Sequence, residues 1–309
     1  MKQTTFDGTV KIINKPFRNK SGLKFHPVSS QDPVDILREV EEKHGRDKFY
    51  VMSSGGKDSQ TVLNFVASQE KLAGVVHIKT NVGLRVTTDF VKDYCQSKGY
   101  PCHIIEPIPK FIYVAQVLEK GFPGPRQHSF IMGWLKYRAM FNFAMTIDKK
   151  HHCLITGVRK FESARRNSKY KAPIQNDGSL WFCSPYFYKS DAEVYKEFLT
   201  AGLPITPAYE MGFPSSGECL CGSFADLDLK QHISKIDPEL AAFIAWMEEG
   251  VRRWGTPKAK KYAKWGGTAN MDDIENQETL FEEAQDLICG QECGVGTYKE
   301  YATNPLNSK

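Results

Sequence analysis

The stretch Ser53-Ser54-Gly55-Gly56-Lys57-Asp58-Ser59 concentrates groups that can recognise an anion. Adjacent glycines let the backbone approach a ligand closely and adopt conformations closed to other residues. A helix starting just after them offers unpaired N–H groups and the positive end of its dipole, which suits phosphate. Ser53 opens the loop, Ser54 and Ser59 add hydroxyls, and Lys57 adds a cation. Asp58 is a carboxylate able to hold Mg²⁺ or to fix the loop. The plain alternative is a glycine turn capped by Ser and Asp. A bare Gly-Gly would suggest that turn; the longer pattern favours phosphate. Its spacing is not that of the G-x-x-x-x-G-K-[ST] loop.

A second group of cations lies in Thr156-Gly157-Val158-Arg159-Lys160-Phe161-Glu162-Ser163-Ala164-Arg165-Arg166. Arg159 and Arg166 can grip phosphate or sulfonate oxygens through bidentate forks. Glu162 can fix one guanidinium or accept a hydrogen bond from a ribose, with Gly157 and Ser163 beside them. Lys136, in Trp134-Leu135-Lys136, is a further candidate phosphate ligand; the competing reading there is an ordinary amphipathic helix. Lys57, Asp58 and Arg159 are the residues expected to act on the reacting groups.

The third group is sulfur. Of eight cysteines, four fall into two tight pairs, Cys219-x-Cys221 and Cys289-x-x-x-Cys293, each beside glycines. Four thiolates can hold zinc tetrahedrally or a [4Fe–4S] cluster. The remaining four, Cys95, Cys102, Cys153 and Cys183, read as small core residues. The neighbouring His151 and His152 point in different directions on a helix or a strand, so they read as a surface loop rather than a metal pair.

These residues need elements to position them. Asp35–His44 has helical spacing with Gly45 as C-cap, Lys48–Met52 is β-prone, and a helical pattern runs from Gln60 to Ser68. Gly74–Ile78 reads as a strand, Thr88–Lys98 as a helix, Cys102–Ile105 as a strand, Trp134–Ile147 as a helix and Cys153–Thr156 as a strand. A short strand is expected at Thr9–Ile13. Strands alternating with helices predict an α/β fold, a mostly parallel sheet with helices on both faces. Ser190–Ala201 reads as a helix with Ser190 as N-cap. Beyond it come a proline-punctuated segment, then only helices and loops. The expected organisation is an α/β domain over residues 1–200 and a cysteine-containing helical and loop extension over 201–309, which can form one folded unit.

Several of these motifs resemble those of one family. Ser54–Ser59 resembles the SGGxDS loop of the PP-loop ATP pyrophosphatases and the sulfonucleotide (PAPS) reductases. Asn81-Val82-Gly83-Leu84 stands where the reductases have a D-T-G-like stretch, although Asn81 and Val82 depart from it. Trp134-Leu135-Lys136 resembles the W/C-x-x-L-K region, and Thr156–Arg166 resembles TG-x-R-x-x-E-S-x-x-R. Leu203–Phe213 resembles LP-x-NPLY-x-x-GY, and Gly217–Cys221 stands where relatives carry a G-C-x-x-C-like turn. In this order the motifs cover roughly residues 35–225. The chain is identified as a member of the PAPS reductase-like branch of PP-loop (adenine nucleotide alpha hydrolase-like) enzymes.

The resemblance implies ATP, or APS/PAPS, as the bound nucleotide, together with Mg²⁺. It implies adenylation of a substrate with pyrophosphate release, followed by sulfur transfer, as in nucleic-acid thiolation or phosphorothioation. A sulfur donor such as a cysteine desulfurase, or a thiol reductant, would be the partner. A [4Fe–4S] cluster at Cys219, Cys221, Cys289 and Cys293 is favoured over zinc, because relatives carry one in this neighbourhood. Their adjacent Cys-Cys is absent here, so Cys289 and Cys293 enter from spacing alone. A second reading is an APS/PAPS reductase making sulfite. Glu292-Cys293-Gly294 resembles the start of ECGLH, whose cysteine attacks the sulfonate, but the histidine is missing. A third is a non-catalytic nucleic-acid-binding module with structural zinc, which the intact SGGKDS disfavours.

Composition bounds these readings. With 309 residues, 41% hydrophobic and 25% charged, the chain can bury a full core and is not disordered overall. Its longest apolar run, Leu240–Met247, falls well short of the about 20 residues a membrane span needs. The N-terminus lacks the apolar core of a secretory signal, so a reducing cytoplasm is expected. The net charge of +5 is uneven: residues 252–264 carry six Lys/Arg and no acid, and residues 149–171 carry eight Lys/Arg and one acid. Residues 272–286 carry seven Asp/Glu and no Lys/Arg. Basic runs are commonly solvated faces; here they also suit a phosphate-rich ligand or a nucleic-acid acceptor.

Overall fold

Val51, Val75 and Ile155 lie side by side on three adjacent parallel strands, and all are fully buried. They mark the centre of the sheet that carries the site. A computed structural model of the chain describes residues 24–148, 150–160, 172–177, 180–225 and 227–267. The strands are β1 (Lys24–His26), β2 (Lys48–Met52), β3 (Leu72–Ile78), β4 (Cys102–Ile105), β5 (His152–Ile155), β6 (Ile174–Asn176) and β7 (Trp181–Cys183). They form one sheet in the order β1-β6-β7-β5-β2-β3-β4. The five from β7 to β4 run parallel, and β6 and β1 are added antiparallel.

Helices cover both faces, as the sequence pattern predicts. Alternate residues of a strand point to opposite sides. Val51, Val75, Cys153 and Ile155 therefore pack against α1 (Pro33–His44), α2 (Lys57–Ser68) and α3 (Arg85–Lys98), through Ile36, Leu37, Leu63, Val66 and Val91. Met52, Val76 and Leu154 face Tyr137, Met140 and Phe143 on the other side. Asp32 caps α1 by accepting from the Val34 and Asp35 amides, and Gly45 closes it.

The helix expected over Trp134–Ile147 starts earlier and contains a wide turn: α5 (His128–Met132) runs into a π turn over Gly133–Tyr137 and continues as α6 (Arg138–Ala144). Trp134, Leu135, Lys136 and Tyr137 are four consecutive buried residues, more than one face of an α-helix can hide. His151 lies in an exposed turn, as expected, with its Nδ1 3.1 Å from Asp47 Oδ1, whereas His152, expected in the same surface loop, is buried as the first residue of β5.

A third apolar cluster draws on sequence from both sides of residue 200. Val82, Leu84, Trp134, Leu135 and α4 (Ile112–Lys120) pack on Phe213, Leu220, Ile244, Met247 and Trp265. The later residues come from loops and from α8 (Leu227–Ile236), α9 (Pro238–Trp254) and α10 (Pro257–Lys260). The helix α7 (Asp191–Thr200) precedes them, capped as predicted by Ser190, whose Oγ accepts from the Glu193 amide. Among the described residues no helix is long and apolar enough to cross a membrane. The strand expected at Thr9–Ile13 lies outside the described residues.

Candidate functional site

Strand order reverses between β2 and β5: from β2 the chain moves outward through β3 and β4, and β5 and β7 lie on the other side. In open α/β sheets, ligands bind at such a switch point, outside the carboxyl ends of the strands. Both sequence-predicted loops meet here. Residues 53–59 leave β2 and enter α2, and Thr156–Lys160 leave β5.

The first loop is held by its own hydroxyls. Ser59 Oγ accepts from the Ser54 amide at 3.2 Å and donates to the Gly56 carbonyl at 2.9 Å. Ser54 Oγ lies 3.2 Å from Ser59 Oγ, and Ser53 Oγ accepts from the Gly55 amide at 3.3 Å. Gly55 has φ +78°, and a side chain there would press on Phe90, Thr87 and Thr206. Only glycine combines that backbone with that closeness. The loop ends at Gly56, the N-cap of α2, with no side chain capping the helix. Its first amides and dipole therefore point at whatever sits over the loop.

Beneath it lies His77, a residue the sequence reading did not single out. It is 0% exposed on β3. Its Nδ1 lies 2.9 Å from the Ser53 carbonyl, and its Nε2 3.0 Å from Thr88 Oγ1. A carbonyl can only accept, so Nδ1 carries the proton and Nε2 accepts from the Thr88 hydroxyl. Burial pushes the His77 pKa down and keeps the ring neutral. The signal in the sequence is one polar residue at the end of the apolar run Gly74–Ile78.

Lys57 and Arg159 converge from the two loops. Lys57 Nζ lies 2.8 Å from Asp58 Oδ1 and 2.8 Å from Asp191 Oδ1. Arg159 Nη2 lies 3.1 Å from Asp58 Oδ2 and 2.7 Å from the same Asp191 oxygen. Burial pulls the Lys57 pKa down, but Asp58 and Asp191 outweigh it and leave the ammonium above its ordinary value. Burial likewise works against the Asp191 carboxylate; Lys57 and then Arg159 outweigh it and hold it below the ordinary range. Arg159 is 4% exposed and its Nε is buried without a partner. Gly157 lies against the first turn of α2, where a Cβ would sit 3.2 Å from the Asp58 carbonyl carbon.

Asp58 thus spends its oxygens on two cations. Asp191, which no motif marked, completes the cluster from the first turn of α7. Glu162, Ser163 and Arg166 lie outside the described residues.

Lys136 sits elsewhere in the same end of the molecule. It is 3% exposed and ion-paired with Glu218 at 3.2 Å. Glu218 also lines a cavity of about 400 Å³ with Lys79, Asn81, Arg85 and Lys92. The loop after β3 is sewn to residues 217–220: the Leu84 amide donates to the Gly217 carbonyl at 2.8 Å and the Leu220 amide to Val82 at 2.7 Å. Gly83 is required there, because a Cβ would fall 2.0 Å from the Glu218 carbonyl oxygen.

The adjoining cysteines are partly confined. Cys221 is buried, with Sγ 3.9 Å from His128 Nδ1 and 3.3 Å from Ser223 Oγ. A hydrogen bond from Cys219 and then His128 holds its thiol well below the ordinary range, although burial opposes this. Among the described residues no group of three or more His, Cys, Asp or Glu side chains forms a metal site. A four-thiolate site needs Cys289 and Cys293, which lie outside the described residues. Of the other four cysteines, Cys95, Cys153 and Cys183 are buried core residues, and Cys102 is half-buried against them.

No curated protein matches the chain. Among solved structures it is similar to a phosphoadenylyl-sulfate (PAPS) reductase from Candida auris in a phosphate complex, with 16% identity and a TM-score of 0.44. That match covers 59% of this chain and 85% of the other. It is also similar to Candida glabrata FMN adenylyltransferase in complex with FAD and pyrophosphate, with 14% identity, 59% and 61% coverage and a TM-score of 0.41. A third is the NH3-dependent NAD synthetase of Campylobacter jejuni, with 15% identity, 71% and 90% coverage and a TM-score of 0.41. The phosphoadenosine phosphosulfate reductase domain matches residues 48–223, more than half of the chain. This protein belongs to the PAPS reductase domain family.

Proposed function

We propose that this protein binds ATP or an adenylyl sulfonucleotide at the β2–β5 switch point, and that it activates a substrate for sulfur transfer. The observation that carries the reading is the convergence of Lys57 and the buried Arg159 over the uncapped start of α2. With ATP, a substrate oxygen attacks the α-phosphorus, the bond to the bridging oxygen breaks, and pyrophosphate leaves with that electron pair. The α2 amides, Lys57 and Arg159 stabilise the charge on the departing pyrophosphate, which is electrostatic catalysis. Asp58 holds both cations in place. Mg²⁺ would arrive with the triphosphate and neutralise part of its charge. A sulfur nucleophile from a donor such as a cysteine desulfurase then displaces AMP from the adenylated acceptor.

A nucleic-acid acceptor is favoured by one surface. Lys258, Lys260, Lys261 and Lys264 are exposed in and after α10, and Trp246 and Trp254 are exposed on the preceding α9. Cations that meet phosphates and rings that stack on bases are the two parts of a single-strand platform. The segment after α10 is tied to the cysteine-pair loop, since the buried Trp265, next to Lys264, donates its Nε1 to the Leu220 carbonyl at 3.0 Å.

Family membership also keeps the reductase reading, in which Cys293 attacks the sulfonate and AMP or its 3′-phosphate is released. The deciding experiment is paired. Pyrophosphate release is measured with ATP and acceptor RNA or DNA, and sulfite release with APS or PAPS and a thiol reductant. Pyrophosphate without sulfite supports the first reading, and sulfite without pyrophosphate replaces it with the second. Neither product, with nucleic acid still bound, supports a non-catalytic binding module. Iron, zinc and sulfide analysis of anaerobically purified protein tests a [4Fe–4S] or zinc site at Cys219, Cys221, Cys289 and Cys293.

A further inference from the structure

One carboxylate in the cluster is placed unlike the others. Asp58 is buried, anchored in the first turn of α2, and shared between Lys57 and Arg159. Asp191 touches the same two cations with a single oxygen, yet its side chain is 72% exposed. The four side chains together carry no net charge. Arg159 nevertheless keeps a buried Nε without a partner.

We propose that Asp191 is a built-in competitor of phosphate: its carboxylate occupies Lys57 and Arg159 and must yield them when a phosphate group takes the loop. The proposal rests on the reading of residues 53–59 as a phosphate loop. Both an incoming phosphate and Asp191 are anions that need the same donors, and two anions in one place repel each other.

Asp191 is the one able to leave. Asp58 would have to enter a buried, uncompensated state, whereas Asp191 needs only to turn toward water. It also stays at the start of α7, where a negative charge is favoured by the helix dipole. The helix does not depend on its contacts with the cations. Ser190 and Glu193 form a reciprocal capping box, with the Ser190 amide donating to Glu193 at 2.7 Å. Asp191 thus sets how strong an anion must be to open the site, and it keeps both cations oriented until then.

The test is titration of the full chain with sodium pyrophosphate by calorimetry at fixed ionic strength, for wild type, Asp191→Asn and Asp191→Glu. Removing the competitor while keeping the shape is expected to tighten binding about tenfold in Asp191→Asn, the sum of two modest exposed ion pairs. Asp191→Glu should bind like wild type or more weakly. A residue that merely supports the loop gives the opposite sign, so unchanged or weaker binding by Asp191→Asn overturns the proposal. Melting curves of the variants show whether the fold is intact. If pyrophosphate binds neither wild type nor Asp191→Asn, or binds Lys57→Met as well as wild type, the phosphate-loop reading itself falls, and with it the proposal.

Discussion

His77 donates its Nδ1 proton to the Ser53 carbonyl at 2.9 Å, so a neutral ring in the middle of the sheet holds the first residue of the 53–59 loop. Its pKa is lowered by burial, as are those of the half-buried His103 and the buried His152. The unfolded chain therefore takes up protons below the ordinary histidine value, about 6.5, where the folded chain resists them. Stability from this source is fully present above that value and is lost as pH falls through the lowered folded values. Urea midpoints should decline below about pH 6.5. His77→Gln should be less stable at pH 7.5 by about 1 kcal/mol for the lost hydrogen bond, and the decline of its midpoint between pH 6.5 and 5 should be shallower. A slope equal to wild type would show that His77 is not among the responsible groups.

Lys57→Met should weaken pyrophosphate binding about tenfold to a hundredfold, the worth of one charge-assisted hydrogen bond of about 1.5–3 kcal/mol. Arg159→Gln should do at least as much, because it also strips a buried partner from Asp58. Calorimetric titration checks both. Because Lys57 is held above its ordinary pKa and Asp191 below its own, wild-type affinity should show no step from these two groups between pH 6 and 9.

Gly83→Ala should cost about 1–3 kcal/mol of stability, an overpacking effect against backbone that cannot move aside freely. The new methyl would meet the Glu218 carbonyl oxygen, and chemical denaturation at neutral pH measures the loss. An unchanged midpoint would mean that the 80–84 and 217–220 segments separate easily.

Cysteine alkylation should sort by position. Burial pushes the Cys153 and Cys183 thiols up, whereas a hydrogen bond from Cys95, and then Lys92, pulls half-buried Cys102 down. At pH 7.5 iodoacetamide should modify Cys102 at least about tenfold faster than Cys153 or Cys183, followed by peptide mass spectrometry.

The loop at 53–59 was legible because its chemistry is local: glycines, hydroxyls and a lysine at a strand–helix junction. Arg159 was legible for a similar reason, as a cation just past the end of a strand. Asp191 was not, since an acid after a Ser N-cap is what any helix start contains; only the fold brings it 32 residues back to Arg159. The three-residue strands β6 and β7 are too short for period-two alternation to show. Helix α4, IYVAQVLEK, mixes strand-prone and helix-prone residues and gives a weak period. Lys136 reads as a phosphate ligand by type, whereas its environment is set by Glu218, 82 residues away.

The stitching of residues 80–84 to 217–220 has a practical consequence for anyone wishing to isolate the nucleotide-binding half. A chain cut after Thr200 would strip the Leu84 and Thr87 side of its acceptors at Gly217 and Ser216. It would also remove Thr206, whose amide donates to the Gly55 carbonyl at 3.2 Å behind the loop. Such a fragment would bare Leu84, Trp134 and Leu135 to water and should aggregate on expression, whereas a cut beyond Gly267 would spare every one of these contacts.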